Sequence, residues 1–286
     1  MSADARRAGL SFGARYGGAA LVTGASAGIG EAFARRLAAD GTDLVLVARR
    51  GDRLEALAAE LTRAHGVTAH ACALDLTLPD AVPRLVAFLE QRTIAIGIQV
   101  HNAGFGASGP LHEAVPEGLA RMVDLHCRVP VAILSALLPP MIARRRGAVI
   151  VVASVAGYQL GPGSAVYSAS KAFDLLLGES LWAELEPYGI DALALSPGYT
   201  HTEFHDAAGI SRGAIPAWAW ATADDVAAAG LKGLGRRASV VPGQLYQALC
   251  ALVRLVPRGW MNRLAVPIFF RKLGRVRADD RRRPGV

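Results

Sequence analysis

Little in this chain points to disulfide, metal or membrane-spanning chemistry. Its 286 residues hold three cysteines, Cys72, Cys127 and Cys250. They form no ligand-spaced motif and lie in apolar contexts, so reduced, buried thiols in a reducing, cytoplasmic setting are expected, and no metal site. The N-terminus carries Arg6, Arg7 and Arg15 but no apolar core long enough for a signal peptide, and residues 1–17 are expected to form a flexible lead-in. No internal repeat or linker interrupts the remaining sequence, and the length suits one large α/β domain. The net charge of +7 is confined to one end. From Gln244 on there are ten Arg or Lys against two Asp, which leaves residues 1–243 one negative charge from neutrality. With no aromatic stacking motif beside that tail, nucleic acid is not an expected partner.

What the chain does have is a hydrophobic content of 52% arranged as short apolar runs alternating with helical patterns. Strands are expected at 19–22, 44–48, 67–74, 96–100, 148–153, 191–195 and 239–241. Helices are expected from after Gly30 to Asp40, Asp52 to His65, over 79–92, Glu117 to Arg146, through Tyr167 to about Tyr188, and after a Thr222 cap. Pro130 and Pro139-Pro140 should kink or divide the long central helix. Strand–helix alternation of this kind implies an α/β fold: a Rossmann-like, doubly wound parallel sheet in a single domain spanning 18–243.

Two stretches suggest chemistry. The first strand runs into Thr23-Gly-Ala-Ser-Ala-Gly-Ile-Gly30, and a helix follows. Glycines at those spacings permit a tight turn and close approach of backbone to a pyrophosphate, and the helix N-terminus beyond offers free N–H groups. The second strand ends in Arg49-Arg50, with no carboxylate to accept from a ribose 2′-OH; a basic pair there suits a 2′-phosphate, or is simply solvated. Further along, Tyr167 and Lys171 share a helix face, and Ser154 closes the preceding strand. A free phenol titrates near ~10. A lysine cation beside it favours the phenolate and makes tyrosine usable for proton transfer.

Taken in order, Thr23–Gly30, Asn102-Ala-Gly104, Ser154, Tyr167-x-x-x-Lys171 and Pro197-Gly198 resemble the short-chain dehydrogenase/reductase family over about residues 18–243. The resemblance implies a nicotinamide cofactor and hydride transfer between it and a carbonyl/alcohol pair. It assigns Gly24, Ser26, Gly28, Ile29 and Gly30 to the phosphate turn, and Asp75 and Leu76 to the adenine. Asn102, Ala103 and Gly104 would line the cofactor. Tyr167 would be the acid/base, Lys171 the ribose contact, and Ser154 would orient the substrate oxygen. Pro197, Gly198, Thr200 and Thr202 would meet the nicotinamide half, although an ordinary polar loop accounts for the two threonines as well. The family's fourth catalytic residue is an Asn; here that position holds His126, expected either to join the proton relay, titrating near neutral pH, or to be a packing histidine.

The expected protein is therefore an NADP(H)-dependent oxidoreductase for a small-molecule carbonyl or alcohol, with a catalytically weak sensor or scaffold as the alternative. The loop from Tyr199 to Trp220, with Phe204, Ile210, Trp218 and Trp220, points to a hydrophobic substrate, and core packing explains those residues equally. The family commonly forms homodimers or homotetramers. Residues 244–286 read as a basic amphipathic extension in which Leu245, Leu249, Leu252, Val253 and Val256 share a face, followed by Trp260, Phe269 and Phe270. It suits either a peripheral contact with an anionic membrane, or packing over the substrate pocket or a neighbouring subunit.

Overall fold

The structure, a computed structural model, describes residues 10–204, 216–257, 259–261 and 263. Ile210, Phe269 and Phe270 lie outside them. Six strands supply the centre of a parallel sheet: β1 (Ala19–Thr23), β2 (Leu44–Ala48), β3 (Ala69–Ala73), β4 (Ile96–His101), β5 (Gly147–Val152) and β6 (Ile190–Leu195). All five β1 residues and all six of β5 are buried. That is why these strands read as unbroken apolar runs: a parallel sheet is covered on both faces. The spatial order is β3-β2-β1-β4-β5-β6, with a short β9 (Ser239–Val240) beside β6. The order reverses between β1 and β4, which leaves a crevice above the carboxyl ends of those strands, where such folds bind ligands.

Helices α2 (Gly28–Ala39) and α3 (Gly51–His65) cover one face, and Phe33, Leu37, Leu54 and Leu61 pack there without measurable exposure beyond 1%. The other face carries α4 (Ala81–Gln91), the central helix and α7 (Ala165–Leu185). Near the sheet's far edge, α8 (Ala223–Gly233) begins as expected at Thr222, whose hydroxyl accepts from the Asp225 N–H at 3.0 Å. Two features lay below the resolution of periodicity. A two-residue strand β7 (Thr200–His201) pairs with β8 (Ala221–Thr222), too short to show a pattern. Part of the lead-in is also a packed helix, α1 (Phe12–Tyr16): Tyr16 is buried and its hydroxyl donates to Asp191 at 2.7 Å.

The central helix is divided, but not by the tandem prolines. α5 (Pro116–Val123) passes through a π-turn, Asp124–Arg128, into α6 (Val129–Ala143), which accommodates Pro139 and Pro140 without ending. Pro130 has no N–H to return to the preceding turn, so the widened turn falls directly before it. By length and composition the whole stretch Pro116–Ala143 is apolar enough to cross a membrane; Met122, Ile133, Leu134 and Met141 instead pack into the core.

After β9, α9 (Gln244–Leu255) folds back onto the domain. The apolar face expected for it turns outward, and the inward side is a different one. Cys250 turns inward, whereas Leu245, Leu249, Leu252 and Leu255 are exposed and Val253 is half-buried.

Candidate active site

Apart from Tyr167 and Lys171 on α7 and His126 in the central helix, the residue groups picked out for the site fall at the carboxyl ends of strands. Along that edge, in spatial order, stand Asp75 and Leu76 after β3, Arg49 and Arg50 after β2, the glycine turn after β1, and Asn102 to Gly104 after β4. Ser154 after β5 and Pro197 to Thr202 after β6 complete it.

The turn after β1 is built to admit backbone alone. Gly24 has φ +69°, and a Cβ there would lie 2.8 Å from the Asn102 amide nitrogen. A Cβ on Gly30 would reach the same nitrogen at 2.5 Å. Thr23 ties the two loops together: its buried hydroxyl accepts from the Asn102 and Ala103 N–H groups at 2.9 and 3.0 Å and donates to the Val100 carbonyl at 3.2 Å. The Asn102 side chain returns a hydrogen bond to the Thr23 carbonyl at 2.9 Å. Thr202 lies across the turn, with its methyl 2.8 Å from where a Gly28 Cβ would sit. Ser26 accepts from the Arg50 guanidinium at 3.1 Å, and Ile29 packs against the core. A pyrophosphate fits this cradle, since α2 aims its N-terminal N–H groups into it.

At the adenosine end the two arginines part. Arg49 is exposed, whereas Arg50 bridges Ser26 and Glu203, donating to the latter at 2.7 Å. Arg53 donates to the same carboxylate at 2.8 Å. Together Arg53 and Arg50 hold the Glu203 carboxyl down to about 2. Leu76 is buried; Asp75 accepts from the Thr77 hydroxyl and N–H, which outweigh the opposing effect of its burial and keep it below the usual range.

At the chemical end, Lys171 connects α7 to β5. It is buried, and Nζ donates to the Val152 carbonyl at 2.9 Å and to Asp174 at 2.8 Å. Val152 precedes Ser154 by two residues, so this bond brings the tyrosine helix and the serine to one strand end. The Ser154 hydroxyl accepts from the Ala156 N–H at 3.1 Å, which leaves its own proton to donate. The Tyr167 ring stands between His126 and Phe204, with centroids at 5.9 and 5.8 Å.

His126 lies in the π-turn, 1% exposed. Its Nε2 accepts from the Phe105 N–H at 3.2 Å, which places the ring proton on Nδ1. Nδ1–H then donates to Ser170 Oγ at 2.8 Å, and Ser170 donates to the Tyr167 carbonyl at 2.8 Å. Burial, and secondarily the Lys171 cation, push the imidazole down to about 2. The near-neutral titration expected for His126 is thereby corrected: both ring nitrogens are engaged inside the protein and the group stays neutral.

On the substrate side, a small cavity of about 40 Å³ borders Tyr167, with Ser108, Leu111, Leu119 and Ser164 in its lining. A larger groove of about 570 Å³ lies at the opposite, amino end of the sheet, around Gly18, Asp43 and Ala95, away from all of these groups. Tyr246 of α9 covers the loop after β6: its ring fills the space a Gly198 side chain would need, and its hydroxyl donates to the Ala219 carbonyl at 2.8 Å. Asp174, Glu203 and Tyr246 were not singled out by sequence, and Thr23 entered only as the first residue of the glycine motif. Asp174 alone offered a signal, since it continues the Tyr167–Lys171 helix face.

Comparison with known proteins agrees with this arrangement. A family model for the short chain dehydrogenases matches residues 18–211. A short chain dehydrogenase of Pseudocercospora fijiensis is 37% identical over 194 residues, 67% of this chain and 62% of its own length. The SDR family member 7B of Bos taurus is 35% identical over 64% of this chain and 58% of its own. The chain thus spans about three-fifths of these curated relatives. Among solved structures, a short-chain dehydrogenase from Sphingobium yanoikuyae in complex with NADPH is 34% identical, with a TM-score of 0.74 over 84% of this chain and 96% of that one. A structure from work on 7beta-hydroxysteroid dehydrogenase stereoselectivity is 26% identical, with a TM-score of 0.82 over 89% and 99%. With its parallel sheet, its glycine cradle and its Ser–Tyr–Lys strand end, this chain belongs to the short-chain dehydrogenase/reductase family.

Proposed function

We propose that the chain is an NADP(H)-dependent oxidoreductase acting on a carbonyl/alcohol pair of a hydrophobic small molecule. The observation that carries this reading is the Lys171–Val152 hydrogen bond, which joins Tyr167, Lys171 and Ser154 beside the crevice that holds the glycine cradle. A nicotinamide bound there supplies the hydride. The protein's own groups manage the proton and the oxygen. Ser154 donates to the substrate oxygen, Tyr167 exchanges a proton with it, and the Lys171 cation stabilises the phenolate that results.

Preference for the 2′-phosphorylated cofactor is supported by Arg50 and Arg53 at the adenosine end: they share the Glu203 carboxylate, and a phosphate that displaced it would receive the same charge-assisted hydrogen bonds. The neighbour from Sphingobium was solved with NADPH. Phe204 against Tyr167, and the leucines lining the small cavity, favour an apolar substrate. Exposed Val123, Val131, Phe173 and Leu176 on the central helices offer a face for a second copy of the chain.

The test is oxidation of NADPH and NADH against a panel of ketones and aldehydes, by the parent and by Tyr167→Phe. NADPH oxidation by the parent, lost in the variant while NADPH binding persists, is expected. A parent that prefers NADH overturns the cofactor assignment. Substantial turnover by Tyr167→Phe overturns the acid/base assignment.

A further inference from the structure

Among the described residues, Lys171 and Asp174 are the only Lys, Arg, Asp or Glu in the buried core, 5% and 3% exposed. Tyr167, Lys171 and Asp174 follow one another at i, i+4 and i+7, so they form one face of α7. The Asp174 carboxylate accepts from Lys171 at 2.8 Å, and its other oxygen, also buried, meets no donor among the described residues. A carboxylate held inside the core by a single partner adds little stability, since apolar packing does as well or better. Its neighbours point to another use.

We propose that Asp174 is a positioning residue of the proton-transfer site: its carboxylate fixes the Lys171 ammonium against the Val152 carbonyl and, as a buried negative charge, opposes loss of a proton from the Tyr167–Lys171 pair. The inference rests on the oxidoreductase reading above and deepens it, because a fully protonated pair is the form that donates a proton to a carbonyl oxygen. In that step the phenolic O–H breaks, an O–H forms on the substrate, and the electron pair left on the Tyr167 oxygen faces Lys171.

Among the described residues, no other Lys, Arg, Asp or Glu is buried beside the pair. From the π-turn come His126, neutral, and Cys127, whose thiol is pushed up by burial and then by Asp174. From β5 comes only the Val152 carbonyl. Burial pulls the Lys171 ammonium down, but Asp174, and after it Tyr167, outweigh this and hold it above its ordinary value. Burial drives the Asp174 carboxyl up against the pull of Lys171; at 2.8 Å the two are an ion pair.

Removing the negative charge has one direction. Whether Tyr167 or Lys171 gives up the first proton, that loss becomes easier without a carboxylate nearby. In Asp174→Asn, which keeps shape and an acceptor oxygen, the first alkaline ionisation of the pair should fall by about 1 unit, the lower end of what one close charge produces. Asp174→Glu keeps the charge on a longer arm, so it should keep the parent's ionisation while kcat drops because Nζ has moved.

Two measurements read this: the pH profile of kcat/KM, and a tyrosinate absorbance titration of cofactor-free protein with the Tyr167→Phe curve subtracted. A downward shift in Asp174→Asn together with a parent-like Asp174→Glu supports the proposal. Ionisations that stay put in Asp174→Asn, or that fall equally in Asp174→Glu, overturn it. Should Asp174→Asn fail to fold, Asp174→Glu decides by the same criterion. The absorbance titration needs no turnover, so it stands even if no carbonyl compound is reduced; an unmoved titration in a protein that does turn over removes Asp174 alone.

Discussion

His126→Leu probes the network behind Tyr167. The substitution keeps a side chain of similar bulk but removes the acceptor for the Phe105 N–H and the donor to Ser170 Oγ. The orphaned Phe105 amide costs about 1–3 kcal/mol, and Ser170, which keeps its bond to the Tyr167 carbonyl, about 0.5–1.5 for the one it loses. The Phe105 amide is only part-buried, so a total near 3 kcal/mol is expected at neutral pH, as about the sum of two small terms. The pH dependence makes the prediction specific. His126 is depressed to about 2 in the folded chain against 6.5 when free. The unfolded chain therefore binds a proton below 6.5 that the folded chain refuses. Stability from this group is full above 6.5 and falls, as pH drops, by about 1.4 kcal/mol per pH unit. His126→Leu lacks that loss, while His101, pushed down to about 4 by burial, is common to both proteins and cancels. Urea unfolding followed by tryptophan fluorescence should show the gap between parent and variant narrowing from about 3 kcal/mol near pH 7 to about 1 near pH 5. A gap that does not change with pH would refute a neutral, fully engaged imidazole. By the same reasoning, His126→Asn should leave the near-neutral part of the activity profile unchanged.

Thr23→Val removes the common acceptor of two loop N–H groups and should lower stability by about 2–4 kcal/mol in urea unfolding; a loss under about 0.5 kcal/mol would mean that Asn102 and Ala103 find other partners. Glu203→Gln frees Arg50 and Arg53 from the carboxylate they share, so NADPH should bind more tightly, by no more than about tenfold because exposed pairs are weak, with NADH little changed; equal effects on both cofactors would detach these arginines from the 2′-phosphate. Tyr246→Ala uncovers Gly198 and the Ala219 carbonyl, and should raise KM for the carbonyl substrate more than it lowers kcat; unchanged kinetics would separate α9 from the substrate side. Liposome flotation of the full chain against one ending near Gly243 tests the exposed leucines of α9, and equal behaviour of the two counts against a membrane contact.

Much was legible in the sequence because it depends on local or strictly periodic requirements. A strand covered on both faces must be continuously apolar, so β1, β2, β5 and β6 announced themselves within a residue or two. A backbone that must turn sharply under Asn102 requires glycine at 24 and 30, and glycine is visible as a letter. Tyr167 and Lys171 are one helical turn apart, so their shared face needed no tertiary information. Other properties came from atoms distant in sequence. Whether His126 titrates depended on the Phe105 amide and Ser170 closing around it, and burial then decided the matter. Arg49 and Arg50 are the same letter, and only the fold turned one to solvent and the other to Ser26 and Glu203, some 150 residues further on. The partner of the Lys171 cation was decided by enclosure. Within the core a charge keeps only the partners that packing sets beside it, and there those were the Val152 carbonyl and Asp174.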